Sequence, residues 1–218
     1  MKERPILFSA PMVRALLAGT KTQTRRAVAL PRSRDSFVLE DRGAGWWPYQ
    51  SDDGESPLCD DGMEHPYTCP YGRPGDRLWV RETFARIDGQ THPWIETDYR
   101  ATYTHGDRLG DSLGIKKRWS PAIHMPRHAS RILLDIKAVR VERLQDISEA
   151  DAAAEGLLYN TDHMGHWSGT GERWYSTARE AFRDLWQSIN GPDSWAANPW
   201  VWVVEFERAQ AQQKGPAS

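Results

Sequence analysis

The run Gly19-Thr20-Lys21-Thr22-Gln23-Thr24-Arg25-Arg26 packs an amine, hydroxyls and two guanidinium groups into eight residues. Lys21 and Thr24 stand three apart, so a tight turn or the start of a strand can bring amine and hydroxyl together. A lysine kept neutral by burial or by nearby cations can take the proton of a hydroxyl, and the bared oxygen can then attack an acyl carbon. Arg25 and Arg26 are such cations, and a guanidinium also holds an anion or a carbonyl. Without that chemistry, the same residues line a ligand groove or face water.

A carboxylate to orient the lysine, or to shuttle its proton, is offered by Glu155, which ends the helical segment Ser148–Glu155. The helix dipole disfavours an acid at that end, so a carboxylate there points to a task. The plain reading is an exposed glutamate, and Glu82 is a rival. Cys59, His65 and Cys69 form C-x5-H-x3-C. Thiolate and imidazole suit zinc, but the spacing matches no common knuckle and a fourth ligand is needed. Two reduced structural cysteines are the simpler reading, and neither a metal nor a cofactor is expected. Trp46, Trp47, Trp94, Trp119, Trp167 and Trp174 fall largely in expected loops. Rings beside arginine can stack a nucleobase, or they can pin loops onto the core. The sequence holds no Gly-rich phosphate loop and no Ser-His-Asp signature.

Around these residues the chain must build a scaffold. Its 218 residues, 39% hydrophobic and with 11 Trp, have the composition of a globular protein with a real core. The net charge of −2 hides segregation. Residues 1–34 carry eight Lys/Arg against one acid, residues 35–65 nine acids against one Arg, and residues 116–143 eight bases against two acids. The two basic stretches either form one face for an anionic ligand or are neutralised by the acidic stretch. Two cysteines make no disulfide scaffold. Neither a signal peptide nor an apolar run of about 20 residues is present, so the expectation is a soluble cytoplasmic protein without a membrane partner.

The pattern predicts a strand at Ile6–Phe8, then a helix with Ser9 as N-cap, Pro11 in its first turn and Gly19 as its stop. An extended segment carries the octet. Arg77–Glu82 alternates as a half-buried strand, a further strand is expected at Tyr99–Tyr103, and Arg131–Val141 reads as a long one. Ser148-Glu149-Ala150-Asp151 reads as a capping box. Ala178, Phe182, Leu185, Trp186 and Ile189 mark an amphipathic helix stopped at Asn190-Gly191-Pro192. In the closing strand Trp200–Phe206, alternation places Trp200, Trp202, Val204 and Phe206 on one face. Strands without regular intervening helices predict an α+β fold: a small curved β-barrel of mixed sheet with two to three flanking helices. We read residues 1–208 as one domain with long loop insertions at 29–73, 85–120 and 158–174, and residues 209–218 as a disordered tail.

With its flanks, the octet resembles the ASCH family, a PUA-like group. The resemblance rests on Ile6-Leu7-Phe8, on Leu16-Leu17-Ala18-Gly19 with Lys21 to Arg26, and on Pro74 to Glu82. It extends to Leu144 to Gly156 and to Trp200 to Phe206, roughly half the chain, and it is nearest to the larger phage and prophage members. Some members are amidohydrolases that deacetylate N4-acetylcytidine with a lysine, a threonine and a glutamate. The resemblance carries these roles to Lys21, Thr24 and Glu155, with Arg26 at the motif's arginine. It implies a modified nucleoside or a nucleic acid, RNA rather than DNA, as partner. Arg25, Arg26, Trp79, Glu82, Arg127 and Arg131 are the substrate-contacting candidates; the basic–aromatic segment Lys116–Arg131, with Trp119, suits backbone contact. Two alternatives stay open: a non-catalytic PUA-like reader of RNA or modified nucleic acid, and an ASCH-type ribonuclease, for which no histidine pair is evident.

Overall fold

The computed structural model describes residues 1–28, 37–41, 46–50, 68–88, 95–106, 109–112, 114, 118–162, 165–169 and 171–209, of which 37–41, 46–50, 87–88, 95–96 and 109–110 by backbone alone. Along the chain run β1 (Glu3–Leu7), α1 (Ala10–Ala18), β2 (Gln23–Ala27), β3 (Phe37–Asp41), β4 (Trp46–Gln50), β5 (Arg77–Arg81), β6 (Phe84–Asp88), β7 (Ile95–Tyr99) and α2 (Leu109–Ser112). Then follow β8 (Leu133–Arg143), α3 (Glu149–Ala154), β9 (Leu158–Asn160), β10 (His166–Ser168), α4 (Ala178–Asn190) and β11 (Trp200–Arg208).

The fold is α+β, built on a mixed five-stranded sheet in the order β1-β5-β8-β11-β2. β1 runs parallel to β5, and the other neighbours are antiparallel. The order has two free ends, so the sheet is not a closed barrel. Where closure would pair β1 with β2, the Arg26 guanidinium donates instead to the Leu7 carbonyl at 2.8 Å. β11 lies inside the sheet, and both of its faces are covered: Val201 and Val203 are as buried as Trp202 and Val204. The alternation read from sequence therefore describes only half of what this strand buries. Between Glu205 and Phe206 its register against β8 shifts, leaving Lys137 over as a bulge residue.

Local chemistry sets the helix ends. Gly19 caps α1 in the left-handed region at φ 77°, with its N–H returning to the Ala15 and Leu16 carbonyls. The Ser148 hydroxyl accepts from the Asp151 N–H to start α3, and Thr177 does the same for Glu180 in α4. Glu149 reaches across from α3 to accept the Ala178 N–H at 2.8 Å, fixing the two helices together. The apolar face of α4 buries Phe182, Leu185 and Trp186 in the main core with α1, β5, β8 and β11. Fully burying such side chains stabilises by about 1.5–3 kcal/mol each.

The regions read as insertions carry three hairpins, β3–β4, β6–β7 and β9–β10. The strand expected at Tyr99–Tyr103 instead ends at Tyr99 and turns over the next residues, because its partner β6 pairs Phe84 with Tyr99 and goes no further. Ala209 still donates to the Leu133 carbonyl, and residues 210–218 of the tail lie outside the described residues. Among the described residues, no helix is long and apolar enough to cross a membrane.

Candidate active site

Lys21 follows the Gly19 cap and precedes β2. Its backbone is caught between two elements: its N–H donates to the Ala15 carbonyl, and it forms a bridge with Glu155, beside which the Thr22 N–H donates to the Ala154 carbonyl. This pairing lays the start of β2 along the end of α3. It requires Gly156, at φ 86°, where a Cβ would stand 2.7 Å from Lys21 Cβ and 2.8 Å from Ala15 Cβ. Only a glycine lets the chain leave α3 so close to the lysine.

Strand alternation then turns Lys21, Gln23 and Arg25 toward α3. Lys21 Nζ donates to Glu155 Oε2 at 2.9 Å and to the Glu155 carbonyl at 2.7 Å. Arg25 Nη1 donates to Glu155 Oε1 at 3.1 Å, while its Nε and Nη2 reach Glu142 Oε1 at 2.9 and 2.6 Å. Gln23 Nε2 donates to the Asp151 carbonyl at 2.7 Å and to Oδ1 at 3.0 Å. Lys21 and Glu155 are each only 4% exposed. Burial drives the Lys21 amine below the ordinary lysine range; Glu155 draws it back up, and Arg26 and Arg25 push it down again.

Of these groups, Lys21, Arg25 and Glu155 form the floor of a hollow of about 80 Å³, lined also by Thr24, Arg26, Ala27, Phe8, Met12 and the α4 residues Phe182, Leu185, Trp186, Ile189 and Asn190. The hollow lies at the opening between β1 and β2, since Phe8 directly follows β1 and five of the lining residues belong to Lys21–Ala27. Drug-sized ligands need about 300–1,000 Å³. The space is sized for no more than one small end of such a ligand, and Ile189, 61% exposed, extends the apolar wall outward. Lys21 and Thr24 share the hollow, and no hydrogen bond joins them.

The other candidates lie elsewhere. Arg131 makes a two-pronged ion pair with buried Glu82, Nε to Oε1 at 2.9 Å and Nη2 to Oε2 at 3.0 Å, and stacks 4.0 Å from the Tyr99 ring centroid. Arg127 pairs with Glu3 at 2.7 Å. Trp79 lies under the Arg81 guanidinium at 5.2 Å. None of Trp79, Glu82, Arg127 and Arg131 lines the hollow. Of the zinc candidates, Cys59 and His65 lie outside the described residues. Cys69 is a buried free thiol whose pKa burial raises. Among the described residues no three metal-ligating side chains cluster. Trp94 and Lys116 also lie outside the described residues, and Trp46 and Trp47 are described by backbone alone. Trp119 packs in an edge-on pair with Tyr103 at 5.3 Å, with the Arg100 guanidinium over its ring.

Sequence reasoning missed the hollow's walls and the acids behind Arg25. The α4 stripe held a signal: Ile189 continues the apolar face to a position where the core no longer covers it. Glu142 gave no signal, because its role depends on the register of β8 against β11 and of β11 against β2, which sets Val201 between Glu142 and Ala27. Compared with protein-family models, curated proteins and solved structures, the chain matches none of them.

Proposed function

We propose that the protein is an ASCH-type amidohydrolase that removes an acyl group from a modified nucleobase or nucleoside such as N4-acetylcytidine. One observation carries this reading: a buried lysine–glutamate pair floors a hollow that a threonine also lines. The reading takes the open sheet as a PUA-like barrel breached at the site, and the protein as acting in the cytoplasm on a modified nucleoside or RNA.

In this mechanism, the acyl group enters the hollow and the pyrimidine rests on the apolar face of α4. The neutral Lys21 amine takes the Thr24 hydroxyl proton as Thr24 Oγ1 bonds to the acyl carbon. Arg26 Nη2 already donates to the Leu7 carbonyl, and its remaining N–H groups stabilise the developing oxyanion. The carbon–nitrogen bond breaks, and the Lys21 ammonium returns its proton to the departing exocyclic nitrogen, releasing the free amine. Water then attacks the acyl-threonine ester. Its proton passes through Lys21 to Thr24 Oγ1, and the carboxylic acid leaves. Glu155 holds the lysine in place throughout.

The test is incubation of the purified chain with N4-acetylcytidine, with cytidine and acetate measured by chromatography. Lys21→Ala and Thr24→Ala should each lower kcat by about 10³-fold or more, as loss of a base or nucleophile does. Turnover that survives both substitutions overturns the mechanism.

A further inference from the structure

Each oxygen of the Glu155 carboxylate already accepts from a different side chain, Oε2 from the Lys21 amine and Oε1 from the Arg25 guanidinium. A guanidinium does not deprotonate at any working pH, so Oε1 keeps a permanent donor and is a poor place for a proton. The Arg25 side chain has 0% exposure and is anchored on two elements at once, to Glu142 on β8 and to Asp151 on α3, its Nη2 lying 3.4 Å from Asp151 Oδ2. Glu142 and Asp151 are in turn held by Arg140, which also pairs with Glu205 on β11. The guanidinium therefore cannot swing toward a ligand without abandoning three carboxylates.

We propose that Arg25 is a positioning residue: by holding Glu155 Oε1 it fixes Oε2 on the Lys21 amine, and it leaves Lys21 alone to carry the reaction's proton. Arg26, on the neighbouring strand position and facing Leu7, is then the arginine left for substrate. The inference rests on the amidohydrolase reading and refines it, since a carboxylate locked between the lysine amine and a permanently charged guanidinium orients the base and shuttles nothing.

Glu155, Arg25 and Arg26 act on Lys21 directly, and the charged network behind them spans several elements. α3 gives Asp151 and the capping Glu155, β2 gives Arg25 and Arg26, β8 gives Arg140 and Glu142, and β11 gives Glu205. Phe8 places its ring 5.5 Å from the amine, and the α4 wall adds only apolar and neutral side chains. Removing the Arg25 charge should therefore make Lys21 hold its proton more strongly. Removing the Glu142 charge should do the opposite, by leaving Arg25 less compensated.

The experiment is a pH titration of the full chain labelled with 13C-lysine, read by NMR, with the Lys21 resonance assigned by Lys21→Arg. Arg25→Gln should move the Lys21 midpoint up by about one pH unit, and Glu142→Gln, whose amide oxygen still accepts from Arg25, should move it down. The acid limb of N4-acetylcytidine hydrolysis should move the same way in each, and Arg25→Lys should restore the wild-type position in part. A Lys21 midpoint that fails to rise in Arg25→Gln, or fails to fall in Glu142→Gln, overturns the inference. Should Arg25→Gln fail to fold, a downward shift in Glu142→Gln supports it, and no shift or an upward one overturns it. If the wild-type chain leaves N4-acetylcytidine intact, the hydrolase reading falls, and these titrations still decide whether Arg25 acts on Lys21.

Discussion

Placing a methyl group at Gly156 tests the geometry of the site without assuming any activity. The backbone there sits at φ 86°, a region that costs an L-residue about 1–2 kcal/mol. Gly75 serves as a control, because its φ is 87° and a Cβ added there meets nothing within 4 Å. Alanine at Gly75 should therefore cost the strain alone. At Gly156 the new carbon arrives 2.7 Å from Lys21 Cβ and 2.8 Å from Ala15 Cβ. Both are first side-chain atoms, so they retreat only if backbone moves, and overpacking of that kind costs about 1–3 kcal/mol. The expectation is about 2–5 kcal/mol for Gly156→Ala against about 1–2 for Gly75→Ala. Urea unfolding of both variants measures the difference, with an unchanged m-value showing that the same surface is exposed. Adding Ala15→Gly should recover part of the Gly156→Ala loss, because it removes one of the two colliding atoms. Equal costs at Gly156 and Gly75, to within about 0.5 kcal/mol, would show that the end of α3 does not press on Lys21 as drawn.

Three further outcomes follow from the charges. Burial pushes the Asp151 carboxyl up, but the Gln23 hydrogen bond, Arg25, Arg140 and Ser148 together hold it below the usual range. A depressed folded pKa gives stability that is present above the unfolded value of about 3.9 and lost as pH falls through the folded one. Asp151→Asn should therefore be less stable at pH 7 and lose less on acidification, and curves that stay parallel would refute this. Lys21 is a base whose folded pKa is lowered, chiefly by burial, so the unfolded chain binds the extra proton between the folded value and about 10.4. Unfolding free energy should rise with pH across that window, and Lys21→Met should flatten the rise in alkaline urea titrations. Arg131→Ala leaves Glu82, 1% exposed, without its partner and should cost about 3–5 kcal/mol. Because Arg131 is absent from the hollow, turnover per folded molecule should hold, and a selective loss of substrate affinity would restore it as a binding residue.

Local signals made much of this architecture legible. Gly19, Ser148 and the Asn190-Gly191-Pro192 stop fixed helix ends because capping is a property of a few adjacent residues. The α4 stripe and the Arg77–Arg81 alternation reported burial directly. The Lys21–Glu155 pairing came from the family resemblance and from the odd placement of an acid at a helix end; spacing alone left it open, because the partners are 134 residues apart. Sequence could not separate Arg25 from Arg26. Adjacent strand residues face opposite ways, and which face meets α3 depends on where β2 begins. Arg127 and Arg131 looked available for a ligand because their acids, Glu3 and Glu82, lie far away in the chain, and ion pairing of that range has no periodicity to read.

Cohesion alone does not explain why the junction of β2 with α3 is built from charge. Apolar side chains of similar volume would hold the two elements together at least as firmly, since each buried ion loses its hydration. What the charges add is a titratable amine under opposing pulls. Burial and the two neighbouring guanidinium groups favour neutral Lys21, and Glu155 favours the ammonium. Arg25, Arg26 and Arg140 stand with Glu142, Asp151, Glu155 and Glu205 around it, so with Lys21 charged four cations meet four carboxylates. Deprotonating Lys21 leaves one carboxylate in excess, and desolvation limits how strongly that excess can hold the proton. In the proposed reaction, an amine balanced in this way accepts a proton from Thr24 and gives it back to a leaving group, which a fully exposed lysine near its ordinary pKa does poorly at neutral pH. Glutamine at position 155 would keep a hydrogen-bond acceptor and remove the counter-charge. It should lower the Lys21 midpoint in the same NMR titration, whereas an unchanged midpoint would mean that the pair contributes geometry alone.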